Sequence, residues 1–178
     1  FLGAELNMEV AELENVHPTQ ETLGFLEWLP EKEDILFHLH SYEVKSLDMC
    51  AEWLDSCEPL PPFSGDLSFI HNDLSPEHIL LDPEFGTITG VIDWEEGAIG
   101  DPVADFVTLP FWIGWENTFR ICDSYSLSID DGFLSRLEYG SKLTSLAWLY
   151  DEAQRSNDLS SQISYIERVW DINLSSLR

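Results

Sequence analysis

The stretch FIHNDLSPEHILLD, residues 69–82, places six polar side chains that can take part in chemistry between two apolar runs. These six are His71, Asn72, Asp73, Ser75, Glu77 and His78. A single Asp or His in a turn usually has a local backbone role. Several charged groups beside apolar strands carry a desolvation cost that needs compensation. The cluster therefore indicates a functional site rather than a set of turn caps.

Two short β-type runs follow this cluster, at residues 78–82 and 87–94. They are joined by PEFG and predict a hairpin. A hairpin brings the start of its first strand close to the end of its second, so His78 and Asp93 should be neighbours. Asp73 lies across a turn from His78 and should face the same space. Two carboxylates held together need a cation or a shared proton between them, which favours a divalent metal site.

Helical periodicity surrounds the hairpin on both sides, so the fold class is predicted to be mainly α with a small β-hairpin. The segment SYEVKSLDMCAEWLDSC (41–57) carries an apolar stripe made of Leu47, Cys50, Ala51 and Leu54. A long helix is predicted from about Asp130, a candidate N-cap, with Leu143, Leu146, Ala147 and Tyr150 on one face. The first forty residues combine a helical opening, FLGAEL, with short pieces separated by Pro18, Gly24 and Pro30.

Composition excludes several classes of partner. The 178 residues include 8 Lys and Arg against 34 Asp and Glu, a net charge of −26 that repels nucleic acid and anionic membranes. Such acidity indicates solubility or adaptation to a salty cytoplasm, and the alternative is a surface that concentrates cationic small molecules. The three cysteines, Cys50, Cys57 and Cys122, show no disulfide framework and no zinc spacing, so a cytoplasmic location is expected.

Two ordered segments, HNDLSPEHILLD (71–82) and GVIDWEEGAIGDPVADF (90–106), resemble the catalytic and metal-binding signature of the antibiotic phosphotransferases. These are the aminoglycoside and macrolide kinases, which share the protein-kinase fold. The resemblance implies a single domain, 1–178, equivalent to a C-terminal lobe. Within it, a catalytic loop at about 69–78 and a metal-binding segment at about 91–106 precede a helical substrate subdomain at about 107–178. The N-terminal lobe is absent, since no GxGxxG and no phosphate-gripping lysine strand occur.

The resemblance also implies roles for individual residues. Asp73 would be the catalytic base, and His71 would hold the catalytic loop by hydrogen bonds. Asp93 would bind magnesium. Asp105 would brace the loop from beneath, whereas Asp101 would cap the helix that begins at the following proline.

The second metal position departs from the family pattern, because His78 stands where an asparagine is usual. Magnesium prefers oxygen ligands, so an imidazole puts a second metal in doubt. Histidine is also found here in the macrolide and aminoglycoside 2″-kinase branches, so His78 is interpreted as a metal ligand together with Asp93. Glu95 and Glu96 follow the metal segment directly and are candidate contacts to a cationic substrate.

The sequence thus predicts a phosphotransferase lobe, incomplete as given, that uses ATP or GTP and Mg²⁺. It would transfer a γ-phosphoryl group to a hydroxyl of a small, possibly cationic molecule, foremost an aminoglycoside or a macrolide antibiotic. One alternative is a kinase for another small hydroxyl metabolite. Two others are a non-catalytic kinase-like binding module and an acidic interaction protein that binds no metal.

Overall fold

The computed structural model describes residues 34–35, 45–58, 63–125, 131–156 and 158–170. Its helices are α1 (Lys45–Ser56), α2 (Leu109–Ser124), α3 (Asp131–Arg155) and α4 (Ser160–Trp170). Its strands are β1 (Ser68–Ile70), β2 (Ile79–Leu81), β3 (Ile88–Val91) and β4 (Ala98–Gly100), and two 3₁₀ helices span Pro76–His78 and Pro102–Phe106. This architecture of helices with small antiparallel sheets confirms the predicted mainly helical class.

The predicted hairpin is present as β2 and β3. The two strands pair antiparallel, with Ile79 opposite Val91, and an irregularity interrupts the register between Leu80 and Leu81. Asp82 stabilises the connecting turn, because its Oδ1 accepts the backbone N–H groups of the two residues at 84 and 85. Gly86 completes the turn with a φ of 63°, a conformation that glycine adopts without steric cost.

A second two-stranded sheet was not predicted. In it β1 pairs antiparallel with β4, and Ile70 lies opposite Ala98. Each strand has three residues, too short for an alternation pattern to be recognised. This pairing fixes the loop that leaves β1 against the segment that follows Asp93.

The predicted helical faces are confirmed where the structure describes them. Leu47, Cys50, Ala51 and Leu54 of α1 are all buried, as are Leu143, Leu146 and Ala147 of α3, whereas Tyr150 is half-buried. The predicted N-cap Asp130 and the predictions for the first forty residues fall outside the described residues, except for the helical positions 34–35. No described helix has the length and apolar character that crossing a membrane would require.

The helical core joins α2, α3 and α4. Phe111, Leu146 and Ile166 are fully buried at their centre. Polar groups reinforce this packing: Trp115 donates its Nε1–H to the carbonyl of Val169 at 2.9 Å. A close hydrogen bond of this kind satisfies a buried indole N–H that would otherwise cost stability. Helix α4 is therefore tied to α2 along its last turn.

Asp101 caps the second 3₁₀ helix, as predicted. Its Oδ1 accepts the backbone N–H of Val103 at 3.0 Å, and Pro102 occupies the first helical position. Its Oδ2 accepts the Nε–H of Arg136 on α3 at 2.6 Å, and only 2% of the Asp101 side chain is exposed. This buried pair connects the end of the sheet region to the helical core.

Candidate active site

Asp105 braces the loop that carries Asp73. The backbone N–H of His71 donates to Oδ2 of Asp105 at 2.9 Å, and that of Asn72 donates to Oδ1 at 2.8 Å. Both carboxylate oxygens are therefore used by the loop backbone. Hydrogen bonds to an ionised acceptor are shorter and stronger than neutral ones. On the far side of the loop, the Thr108 hydroxyl donates to the carbonyl of Leu74 at 2.7 Å.

His71 links the loop to the backbone just before Asp93. Its Nδ1 accepts the backbone N–H of Asp73 at 3.3 Å, so the proton of the neutral ring lies on Nε2. That Nε2–H donates to the carbonyl of Ile92 at 2.8 Å. The ring is 1% exposed and packs against Trp94, with ring centroids 4.7 Å apart. His71 thereby sets the position of Asp73 relative to Asp93.

Two residues of the site adopt left-handed backbone conformations. Asn72 has a φ of 66° and Asp93 a φ of 65°. The first precedes the predicted base, and the second is itself the predicted metal ligand. Asn and Asp tolerate this region better than other non-glycine residues do. Such conformations persist where the surrounding contacts enforce them, and they are concentrated at functional sites. Asn72 directly precedes Asp73, so both carboxylates are held by constrained backbone.

His78 lies between the two carboxylates. Its Nδ1 is 2.8 Å from the carbonyl of Asp73 and 3.8 Å from Oδ2 of that residue, and its Nε2 is 3.4 Å from Oδ2 of Asp93. The predicted proximity of His78 and Asp93 is confirmed. The pKa of His78 is raised, chiefly by the hydrogen bond to the Asp73 carbonyl and also by the charges of Asp73, Asp93 and Glu77, while desolvation opposes them.

The donor set is compatible with a divalent cation. A carbonyl only accepts, so Nδ1 of His78 carries a proton, and the neutral ring presents its Nε2 lone pair towards Asp93. An imidazole nitrogen and a carboxylate oxygen can share a cation. Among the described residues no group of three or more His, Cys, Asp or Glu side chains could hold a metal ion. Magnesium commonly takes only one or two protein ligands, with water and substrate phosphates completing its shell.

A cavity of about 300 Å³ opens on the other side of Asp73, and we call it the Asp73 cavity. Loop 73–77, the start of α2, the second half of α3 and α4 form its walls. The lining residues are Asp73, Leu74, Ser75, Glu77, Thr108, Trp112, Trp148, Asp151, Glu152, Gln162 and Tyr165. A carboxylate at the mouth of a concave pocket is the arrangement expected where a substrate hydroxyl loses its proton.

The predicted substrate residues fall in two places. Glu95 and Glu96 lie exposed in the turn after Asp93 and do not line the Asp73 cavity. Their contact with a substrate stays a prediction. Carboxylates do line the cavity from α3, at Asp151 and Glu152.

Sequence reasoning did not single out three of the cavity residues. Thr108 follows the 3₁₀ helix, and Gln162 and Tyr165 lie on α4, far along the chain from the loop. No local pattern marks them, because only the packing of α4 against α2 brings them to Asp73. Trp112 and Trp148 both pack against the core and line the cavity wall.

The sequence profile of the phosphotransferase enzyme family, APH, matches residues 3–139. The chain belongs to this family. The match includes the loop that carries Asp73, the hairpin, the Asp101–Asp105 segment and α2.

Individual relatives match parts of the chain. The uncharacterized protein YcbJ of Bacillus subtilis (strain 168) is 40% identical over 74 residues, which cover 42% of this chain and 23% of YcbJ. Acyl-CoA dehydrogenase family member 11 of Homo sapiens is 26% identical over 96 residues, which cover 54% of this chain and 12% of that protein.

Two solved structures are also similar. Macrolide 2′-phosphotransferase type I gives a TM-score of 0.44 at 19% identity, covering 78% of this chain and 46% of its own. A thermostable mutant of aminoglycoside phosphotransferase APH(4)-Ia, in its apo form, gives a TM-score of 0.46 at 22% identity, with coverages of 86% and 48%. The chain spans less than half of the length of each of these four proteins.

Proposed function

We propose that this chain is the kinase-like C-terminal lobe of an enzyme that transfers the γ-phosphoryl group of ATP or GTP to a hydroxyl of a small molecule. Aminoglycoside and macrolide antibiotics are the first acceptors to test, followed by other small hydroxyl metabolites. One observation carries the proposal. Asp73 borders a substrate-sized cavity on one side and contacts His78, which neighbours Asp93, on the other.

In this proposal Asp73 is the catalytic residue that receives the proton of the acceptor hydroxyl. The hydroxyl oxygen forms a bond to the γ-phosphorus as the bond to the bridging β,γ-oxygen breaks, and the proton passes to a carboxylate oxygen of Asp73. The side chain of Asp73 is 61% exposed, so its oxygens are accessible to an acceptor in the cavity. Residues 69–78 then form the catalytic loop, and the helices beyond 107 form the acceptor side.

His71 and Asp105 act as positioning residues. Asp105 fixes the backbone on the N-terminal side of Asp73, and His71 fixes the distance from that backbone to Ile92. Holding a catalytic group in the reactive geometry supplies a large part of the rate enhancement in phosphoryl transfer. Neither side chain needs to touch the substrate in order to matter.

Asp93 and His78 would hold Mg²⁺ within the segment 91–106. The ion, when bound, supplies positive charge to the phosphate oxygens. The Asp93 carboxylate is 45% exposed and, within the described residues, accepts no backbone N–H, so it is free to ligate. His78 has to be deprotonated at Nε2 to take part, which couples metal binding to pH.

Phosphoryl transfer from [γ-³²P]ATP or GTP tests the proposal on the full-length product of the gene. Aminoglycosides, macrolides and simple amino alcohols serve as acceptors. We expect labelled product with at least one acceptor, and Asp73→Asn should reduce its formation about 10²- to 10⁴-fold, the usual contribution of a general base. Asp123→Asn, an exposed change on α2 away from the cavity, is the matched control. Absence of any transfer would favour a non-catalytic binding module instead.

A further inference from the structure

Four rings form a chain of contacts that ends beside Asp93, and we call it the ring column. From the surface inward its members are Phe69, Trp94, His71 and His78, and the centroids of successive rings are 5.3, 4.7 and 5.6 Å apart. The first two rings lie at 10° to each other and the two imidazoles at 23°. Phe69 is 49% and Trp94 45% exposed, whereas His71 is buried. The column therefore joins a surface ring to the loop that carries Asp73.

The orientation of the His78 ring depends on this column. Within the described residues, both hydrogen bonds of the ring involve Nδ1, which is 2.8 Å from the carbonyl of Asp73 and 3.2 Å from the Ser75 hydroxyl. Contacts at one ring atom hold that atom in place, but they leave the plane of the ring free to turn about it. The stacked contact with His71 restricts the plane. It thereby directs Nε2 towards Oδ2 of Asp93, 3.4 Å away.

His71 needs a similar restraint on its own ring. Its two nitrogens are held by the carbonyl of Ile92 and the backbone N–H of Asp73. Hydrogen bonds to ring nitrogens act along the edge of the imidazole, so they resist displacement in the plane better than tilting out of it. Trp94 packs against the ring at an angle of 51° and limits such tilting.

Trp94 is restrained although almost half of it is exposed. Its Nε1–H donates to the carbonyl of Val91 at 2.9 Å, its ring stacks on Phe69, and its carbonyl accepts the N–H of Gly97 at 2.9 Å. A Cβ at position 97 would lie 2.9 Å from that carbonyl oxygen and 3.2 Å from Cζ of Phe69. Glycine therefore lets the turn after Asp93 close against the column.

We propose that Trp94 is a positioning residue for His78. Through the ring of His71 it fixes the plane of the His78 imidazole, so that Nε2 stays directed at Asp93. Because Trp94 follows Asp93 directly, the same contacts hold both members of the proposed metal pair. The consequence for cation binding rests on the metal role proposed above, whereas the effect on the imidazole does not.

Mn²⁺ binding, followed by the loss of the EPR signal of the free ion, tests the effect on the metal pair. Trp94→Leu removes the flat ring and should weaken binding about 10- to 100-fold, the usual effect of losing a group that orients a ligand. Trp94→Phe keeps a ring against His71 and should retain most of the affinity. It loses only the hydrogen bond to Val91, which is exposed, so water can replace it. Equal weakening in the two variants, or none in Trp94→Leu, would overturn the inference.

Phe119→Leu is the matched control. It removes one ring from the stacked pair of Trp115 and Phe119 on α2, whose centroids are 5.6 Å apart at 23°. This change also deletes a stacked contact, but it does so outside the ring column. Mn²⁺ affinity should be unchanged in a variant that circular dichroism shows to be folded. A loss as large as that of Trp94→Leu would trace the effect to general loosening of the fold and overturn the positioning role.

NMR spectra of the histidine rings test the same role without any metal, in EDTA at alkaline pH, where the imidazoles are neutral. The structure gives the rings opposite tautomers, with the proton on Nε2 of His71 and on Nδ1 of His78. We expect Trp94→Leu to move the ¹⁵N shifts of His78 towards the average of the two tautomers, as in an unrestrained imidazole, and Trp94→Phe to preserve them.

The two measurements separate this inference from the proposed function. Altered His78 shifts in Trp94→Leu, in a chain that binds no Mn²⁺, would support the role of Trp94 and contradict the metal proposal. Equal Mn²⁺ affinity of the parent chain and Trp94→Leu, with unchanged His78 shifts, would support the metal proposal and overturn the role of Trp94.

Discussion

Asp101 and Asp105 differ from Asp73 and Asp93 in what their carboxylates contact. The first two accept hydrogen bonds on both oxygens, from the backbone and, for Asp101, from Arg136. The side chains of Asp73 and Asp93 are 61% and 45% exposed. Among the described residues, no backbone N–H donates to their carboxylates, and His78 is their only ionic neighbour. Four residues of one type thus divide into a pair that holds the fold and a pair available for chemistry.

This difference shows how a protein can carry exposed carboxylates at little cost to its folding stability. Desolvated charges are costly unless they are fully hydrogen-bonded, and Asp101 and Asp105 meet that requirement. Exposed carboxylates incur little such cost, so Asp73 and Asp93 are tolerated with only the contact to His78 among the described residues. The comparison predicts opposite responses to substitution in the two pairs.

The largest effect on stability is expected at Asp101. Asp101→Ala removes the cap of the 3₁₀ helix and leaves the Arg136 guanidinium, 14% exposed, without its counter-ion. Losing one partner of a buried pair should lower the free energy of unfolding by about 3–5 kcal/mol, measured by urea denaturation. Asp66→Ala, at an exposed position, should change it by less than about 0.5 kcal/mol. Similar values for both variants would mean that the pair is not formed.

Asp105→Asn should have a smaller but clear effect. The amide offers one acceptor oxygen where two backbone N–H groups need one each, so one loop donor loses its partner. The expected loss is about 1–3 kcal/mol in the free energy of unfolding. Faster amide hydrogen exchange at residues 71 and 72, measured by NMR, would locate the change to the loop. Unchanged exchange there would contradict the bracing role.

Asp73→Asn and Asp93→Asn should leave the stability of the metal-free chain within about 0.5 kcal/mol of the parent value. Both side chains are exposed, and asparagine tolerates the left-handed conformation of position 93 as well as aspartate does. Urea denaturation in EDTA measures this. A loss of stability comparable to that of Asp105→Asn would mean that these carboxylates stabilise the fold, as those of Asp101 and Asp105 do.

The smallest effect is a pH dependence caused by His78. Because its pKa is raised above 6.5 in the folded chain, the protonated ring stabilises the fold fully below that value, and this contribution is lost as pH rises through the raised pKa. Metal-free stability should therefore fall over that window, and His78→Gln should flatten the fall. Urea denaturation across the window compares the two proteins. Identical slopes in the two proteins would contradict the contact of His78 with Asp73.

The sequence predicted the features that depend on local pattern. The hairpin follows from two β-type runs around a turn, and the proximity of His78 to Asp93 follows from the hairpin. The cap at Asp101 follows from an aspartate before a proline at the first helical position. In each case the information lies within a few residues of the element that forms.

Features that depend on distant packing could not be predicted in this way. The sheet of β1 and β4 joins two strands of three residues each, and neither strand carries a periodic signal. The wall of the Asp73 cavity includes Gln162 and Tyr165, which reach the loop only because α4 packs on α2 and α3. The clustering of carboxylates and rings around Asp73 is therefore visible only in the folded chain.

Thermal unfolding with and without millimolar Mn²⁺, for the parent chain and for Asp93→Asn, tests most directly whether the exposed pair serves chemistry. A ligand that binds only the folded state at 100 times its Kd adds about 2.7 kcal/mol of stability. We expect Mn²⁺ to raise the melting temperature of the parent chain and to leave that of Asp93→Asn unchanged. Equal shifts in the two proteins, or no shift in either, would contradict a metal site at Asp93 and His78.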